Sequence, residues 1–299
     1  MFYKWLKGDD ETFPPEIAWL KPKLKNNARK LPEELLTQDE VLRIAQAAVN
    51  ARDKALVLVL YESGCRIGEI LSLRIKNVLF DQYGAILRVT GKTGDRRVRI
   101  ISSAPALSSW VENYSKSKEP EAPLWPSLAT NYPQKNQPME HRSVLVTLKR
   151  STEKAGIKKR VYPHLFRHSR ATFLAEKLTE AQMKEYFGWV QSSEMAATYV
   201  HLSGRDVDNA LLALQGLVKS EDKKEEQFKV CFCPRCKEKN SPSAKFCLRC
   251  GTPMKEQIAA QVEDEKKVGD NLLNQLMKNV EFKEFLFKKV VELGLEKTL

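Results

Sequence analysis

The sequence predicts a mainly α-helical chain with a small β-hairpin or sheet, an α+β arrangement, followed by a compact cysteine module and a C-terminal helix. Three observations carry this. Apolar residues recur at helical spacing through most of residues 36–217. One stretch, "AILRVTGKTGDRRVRII", alternates instead, across a Gly-Lys-Thr-Gly turn, which reads as a hairpin. Five of the six cysteines fall within residues 231–250.

Taken in order, residues 1–35 are rich in Pro, Lys and Asn and read as an extended or loosely helical extension. A helix opens at "LTQDEVLRIAQAAV", where Thr37 and Glu40 have the spacing of a capping box and Val41, Ile44 and Ala45 form one apolar face. "KALVLVLYES" is apolar nearly all round and should be central. Gly64 should end it, and "RIGEILSL" should start the next helix. After the hairpin come a helix around "ALSSWVENY" and a Pro-punctuated loop from Lys118 to about His141. Helical patterning then runs almost to Gln215. "VKSEDKKEEQF" is a charge run and reads as a linker. The expected domains are therefore an extension at 1–35, a body at 36–217, a charged linker at 218–230, the cysteine module at 231–254 and an amphipathic helical tail at 255–299.

The bulk properties narrow the partners. The chain has 299 residues, 42% hydrophobic, and a net charge of +12. That charge favours a polyanion, of which nucleic acid is the commonest. No apolar run approaches the roughly 20 residues that span a bilayer, and "MFYKWLKGDDETF" lacks the apolar core of a secretion signal. A cytoplasmic protein with no membrane partner is expected.

"PHLFRHSRATF", residues 163–173, holds two of the four histidines in a segment that otherwise reads as a buried helix. His164 and Arg167 share one helical face. Arg66, Lys92, His164, Arg167 and Tyr199 together suit phosphoryl transfer. Two permanently charged guanidiniums can grip the non-bridging oxygens of a phosphodiester. A lysine on a hairpin turn can protonate a leaving oxygen, with a histidine sharing the proton transfer. A tyrosine, with an ordinary pKa of about 10, attacks only when a base and cations assist it.

"SGCRIGEILSL", the lysine in "TGKTGDRR", "PHLFRHSRAT", "FGWVQ" and "ATYVHL" resemble, in order, the motifs of the tyrosine recombinases, the lambda-integrase family. The resemblance covers about residues 36–217. It implies the catalytic fold of that family and a site-specific DNA recombinase or integrase that works through a 3′-phosphotyrosyl link without metal or ATP. It implies that Arg66 and Arg167 clamp the scissile phosphate, that Lys92 is the general acid for the 5′-hydroxyl, that His164 is its acid/base partner and that Tyr199 is the nucleophile. Trp189 stands where the family usually has a second histidine; its indole N–H can donate a hydrogen bond but cannot shuttle protons. Double-stranded DNA is the implied partner, held by four protomers. "DVDNALLALQGL" resembles the element that protomers exchange.

Other residues have plainer readings. Arg96 and Arg97 compete with Lys92 for its place. His168 and Arg170 read as structural or DNA-contacting, His201 as a local hydrogen-bonding group, and Tyr162 and Tyr186 as core residues. "TGKT" is not a phosphate-binding loop, because the required first glycine falls at Ile86 and a strand follows. The family usually carries an amino-terminal DNA-clamping, core-binding domain, and only about 35 residues precede the first body helix, so residues 1–35 are expected to be either an extension or a remnant of that domain. Two rival functions follow: a type IB topoisomerase-like strand transferase, and an inert DNA-binding regulator derived from a recombinase.

In the cysteine module, "CPRC" and "CLRC" give two Cys-x-x-Cys pairs separated by ten residues. Cys233, Cys236, Cys247 and Cys250 can close one tetrahedral Zn²⁺ site, the pattern of a structural zinc ribbon. Cys231 is spare, and Cys65 reads as a small apolar residue. The FGW motif and the ribbon together give the chain an archaeal character.

Overall fold

The computed structural model describes residues 34–91, 94–128, 137–202, 215 and 227–292. From Leu35 onward they belong to one compact unit. The expected extension up to residue 33, Lys92, the element at 206–217 apart from Gln215, and most of the expected linker lie outside the described residues.

Helix α1, Gln38–Ala47, opens on the predicted capping box: Glu40 N–H donates to Thr37 Oγ1 at 3.2 Å, and Thr37 N–H to Glu40 Oε2 at 2.8 Å. Helix α2, Ala51–Ser63, is the central element, and Leu56, Leu58 and Leu60 on it are essentially fully buried. Each such side chain contributes roughly 1.5–3 kcal/mol on burial. Gly64 ends α2 in the left-handed region (φ 56°), the conformation that a glycine adopts without strain. A Cβ there would also lie 2.4 Å from the Phe187 ring.

Helix α3, Ile67–Leu71, leads through a short turn to a three-stranded antiparallel sheet. Its strands are β1 (Val78–Asp81), β2 (Gly84–Gly91) and β3 (Gly94–Ile100). The predicted hairpin is β2–β3, with Val89 opposite Arg96 and Gly91 opposite Gly94. Strand β1 was not expected. "VLFD" lacks alternation because it is an edge strand with three of its four residues exposed, so no buried face imprints a period on it.

Helix α4, Ala104–Glu112, packs along α2. Glu62, buried near the end of α2, accepts the backbone N–H groups of Ile101, Ser102 and Ser103 at 2.7–2.9 Å. A buried carboxylate is thereby satisfied by orphan amides at the entry to α4. Helices α5 (His141–Lys154), α6 (Pro163–Ala175), α7 (Glu180–Phe187) and α8 (Met195–Leu202) complete the body. Ala171, Met183, Phe187 and Tyr199 form a second, smaller core between α6, α7 and α8.

Residues 227–230, the end of the expected linker, are not free of the body. Phe228 is buried, its ring edge-on to Tyr61 at 4.9 Å, and its carbonyl accepts from Ser102 Oγ. The cysteine module follows, with β4 (Cys231–Phe232) paired to β5 (Lys239–Asn240). It rests on the body through Lys239 Nζ to the Gln82 carbonyl (2.7 Å) and Lys54 Nζ to the Ser243 carbonyl (3.3 Å). The tail is two helices rather than one, α9 (Glu256–Leu276) and α10 (Val280–Glu292), and neither contributes a buried residue. Among the described residues no helix is long and apolar enough to cross a membrane.

Candidate active site

The site lies where the hairpin and the ends of α2, α3, α6 and α7 converge. Arg66 is the N-cap residue of α3, and Glu69 on the first turn folds back to it. Glu69 accepts the Arg66 N–H (2.9 Å) and guanidinium (3.0 Å), and both Nη atoms of Arg96 on β3 (3.1 and 2.7 Å). Burial works to raise the Glu69 pKa, but hydrogen bonds from Arg96 and Arg66 outweigh it and leave the carboxyl below its ordinary value. Arg96 Nε also donates to the Tyr186 carbonyl at 3.1 Å. Gly91 is needed for this contact, since a Cβ there would lie 2.6 Å from Glu69 Oε1.

Arg167 is 3% exposed. Nη1 donates to the Gly64 carbonyl (2.8 Å) and Nη2 to the Phe187 carbonyl (2.7 Å), which terminate α2 and α7. Carbonyls at helix C-termini lack intrahelical donors and carry the negative end of the dipole, so one buried cation satisfies two of them. Its guanidinium also lies 5.1 Å from the Phe187 ring centre and 5.5 Å from that of Trp189. Burial, and then the charge of Arg66, push the Arg167 pKa down to about 10, so it stays cationic at neutral pH.

His164 is exposed on the first turn of α6 and shares with Arg66 the wall of a cavity of about 350 Å³. One turn on, His168 lies edge-on to it at 4.5 Å between ring centres. His168 Nδ1 is hydrogen-bonded to the Tyr199 hydroxyl. The Tyr199 ring stacks on Trp189 at 5.6 Å with an angle of 2° between the planes, and Trp189 in turn stacks on Phe187 at 4.9 Å. Burial pushes the Tyr199 phenol up to about 12, with Arg167 drawing it partly back.

The structure thus places Arg66 with His164, and Arg167, Trp189 and Tyr199 in one connected cluster. Lys92 lies outside the described residues. Of its competitors, Arg96 is bound by Glu69 and Arg97 is exposed. Tyr186 donates its hydroxyl proton to the Glu62 carbonyl at 2.6 Å, and Arg170 donates to the same carbonyl at 3.1 Å, so both serve the packing of α6 and α7 against α2. Glu69 and His168 were missed in site roles. The spacing of Arg66 and Glu69 held a signal for the first, and the i, i+4 relation of His164 to His168 held one for the second.

In the cysteine module, the sulfurs of Cys233, Cys236, Cys247 and Cys250 all lie within 4.8 Å of one another. Cys233–Cys250 is 3.6 Å and Cys236–Cys247 is 3.5 Å. A tetrahedral site with Zn–S of about 2.3 Å has sulfurs about 3.8 Å apart, so these four fit that ion. The Cys236 N–H and the Asn240 amide point at the sulfurs of Cys233 and Cys247, the supporting bonds such ligands take. Hydrogen bonds from the Thr252 hydroxyl and amide lower the Cys250 thiol below its ordinary value.

The sequence model of the phage integrase family matches residues 34–205, and that of a zinc-ribbon domain matches residues 232–254. The tyrosine recombinase XerA of Pyrococcus horikoshii is 37% identical over 159 residues, 52% of each chain. The tyrosine recombinase XerD of Corynebacterium glutamicum is 29% identical over 182 residues, 58% of this chain and 59% of its own. The chain thus spans about half to three-fifths of the length of these relatives. A structure of the Tn1549 transposon integrase in complex with transposon right end DNA aligns over 72% of this chain and 75% of its own, with 19% identity and a TM-score of 0.53. That likeness shows a shared fold.

Proposed function

We propose that this chain, which belongs to the phage integrase family, is a site-specific DNA recombinase that cuts and rejoins strands through Tyr199. The observation that carries the proposal is the cluster of Arg66, His164, Arg167, Trp189 and Tyr199 around the ends of α2 and α7, two cations and a tyrosine hydroxyl among them. Arg66 and Arg167 would grip the non-bridging oxygens as negative charge builds there. Arg167 is already fixed by two carbonyls, so little reorganisation is needed when the phosphate arrives. Glu69 would hold Arg66 in its orientation. The Tyr199 oxygen would attack phosphorus, forming the 3′-phosphotyrosyl bond as the 5′-oxygen leaves and takes a proton from Lys92, with His164 assisting. Trp189 would confine the tyrosine ring by stacking.

The phosphodiester energy stays in the tyrosyl bond, so the scheme needs no ATP, and Arg66 and Arg167 supply the charge stabilisation for which other strand-cleaving enzymes use a metal. Zn²⁺ in the four-cysteine site would be structural, with every ligand position taken by thiolate. Double-stranded DNA, attracted by the +12 charge, and a homo-tetramer on it are the proposed assembly, in the cytoplasm.

The test is covalent trapping on nicked DNA bearing candidate sites, in EDTA, with wild type and Tyr199→Phe. A denaturation-resistant adduct that the variant cannot form supports the strand transferase. Binding without an adduct would assign the chain to inert regulators. Relaxation of any supercoiled plasmid, with no site preference, would assign it to topoisomerase-like enzymes.

A further inference from the structure

We propose that His168 is the base that takes the proton from Tyr199 during strand cleavage. The inference rests on the strand-transfer reading above and deepens it. Geometry carries it: of the side chains on α6, His168 is the one whose Nδ1 meets the Tyr199 hydroxyl. Three residues of one helix divide the labour by direction. Arg167 points inward to the Gly64 and Phe187 carbonyls. His164 faces the cavity beside Arg66, and His168 faces the tyrosine.

The tyrosine itself is held for such a transfer. The residue is 5% exposed, and its ring lies flat on Trp189 with the hydroxyl bonded to His168. Burial makes the phenol a weaker acid than usual, so unassisted ionisation would supply too little phenolate. A neutral imidazole with its proton on Nε2 offers a lone pair on Nδ1, the atom that meets the hydroxyl. In the forward step the Tyr199 O–H bond breaks and its proton moves to His168 Nδ1. The tyrosine oxygen bonds to phosphorus, and the P–O5′ bond breaks with its electron pair on the 5′-oxygen. In religation His168 returns the proton as the tyrosine leaves. His164, edge-on to His168, remains with the phosphate and the leaving group.

The experiment measures single-turnover adduct formation on nicked DNA for the full chain. His168→Asn keeps an acceptor near the Nδ1 position but cannot take a proton. A loss of roughly 10²–10⁴-fold is expected. Placing a fluorinated, more acidic tyrosine at 199 in the variant should restore most of that loss, because the phenol then ionises without a base. A 5′-thio leaving group, which needs no protonation, should not restore it, whereas it should restore Lys92→Ala. Adduct formation by His168→Asn at the wild-type rate, or a loss that the acidic tyrosine leaves untouched, would overturn the inference while leaving the strand-transfer reading intact. Failure of wild type to form any adduct would overturn that reading first. His168→Gln, compared by thermal midpoint and by the same rescue, decides the matter where the asparagine variant does not fold.

Discussion

The two constellations of this chain are built in opposite ways. The four cysteines lie within eighteen residues, and two knuckles bring their sulfurs to within 4.8 Å. The candidate active site draws on residues from Gly64 to Tyr199, and Arg96 and Arg167 in it are held by partners 20 to 103 positions away. A local site can be read as a spacing and can lose its ion without dismantling its neighbours. A site assembled from helix ends carries part of the stability of the body, so the residues that tie those ends together, Arg167 and Glu69, should affect folding and chemistry together.

Substitutions can break that contrast or sharpen it. The largest effect is expected from Tyr199→Phe, which should remove adduct formation altogether while shifting the thermal midpoint little, since the stack on Trp189 remains. A substantial residual adduct would point to another nucleophile.

Arg167→Lys keeps the charge but cannot serve both the Gly64 and Phe187 carbonyls. We expect a rate loss of about 10²–10³-fold and a destabilisation of about 1–3 kcal/mol for the orphaned acceptor. Chemical denaturation and trapping on one preparation would measure both, and a rate loss without a stability loss would contradict the dual role. Glu69→Gln should cost about 3 kcal/mol, because Arg96, 9% exposed, loses the carboxylate that offsets its charge. Full stability in that variant would show that Arg96 has found another partner.

The cysteine module should behave otherwise. One zinc per chain is expected by elemental analysis, lost in Cys247→Ser, with adduct formation changing by less than about tenfold, the scale on which chemistry would be implicated. A loss as large as that of Arg167→Lys would join the two regions functionally. The smallest effect belongs to Asp81, whose carboxyl Arg99 holds down at about 2 on the exposed edge strand. Its folded pKa is depressed, so its contribution is present above about pH 4 and fades as the pH falls toward 2. Asp81→Asn should therefore narrow the difference in thermal midpoint between pH 5 and pH 2.5 only slightly.

Much of the body was legible in advance. Thr37 and Glu40 announced the start of α1, and Gly64 announced the end of α2, because caps are local chemistry. The β2–β3 hairpin showed its alternation. Strand β1 did not, since an exposed edge carries no apolar period. The division of the tail into α9 and α10 at Met277–Asn279 was overlooked although Asn279 caps α10, its side chain accepting the Phe282 N–H at 3.2 Å, because neither glycine nor proline interrupts the apolar pattern there. In the site, motif order singled out Arg66, His164, Arg167, Trp189 and Tyr199, but not the hydrogen-bond partners that hold them.

The sequence by itself determined the helices that caps and periodicity encode, the four-cysteine spacing and the identity of the candidate site residues. Only the tertiary structure decided that Glu69 also binds Arg96, that Arg167 spans two helix ends and that His168 meets Tyr199. Those contacts join residues between 20 and 103 positions apart. Most of them depend on how α6 docks against α2, α7 and α8 and on how the hairpin docks against α3, and a one-dimensional pattern does not record the angle and rotation at which elements pack.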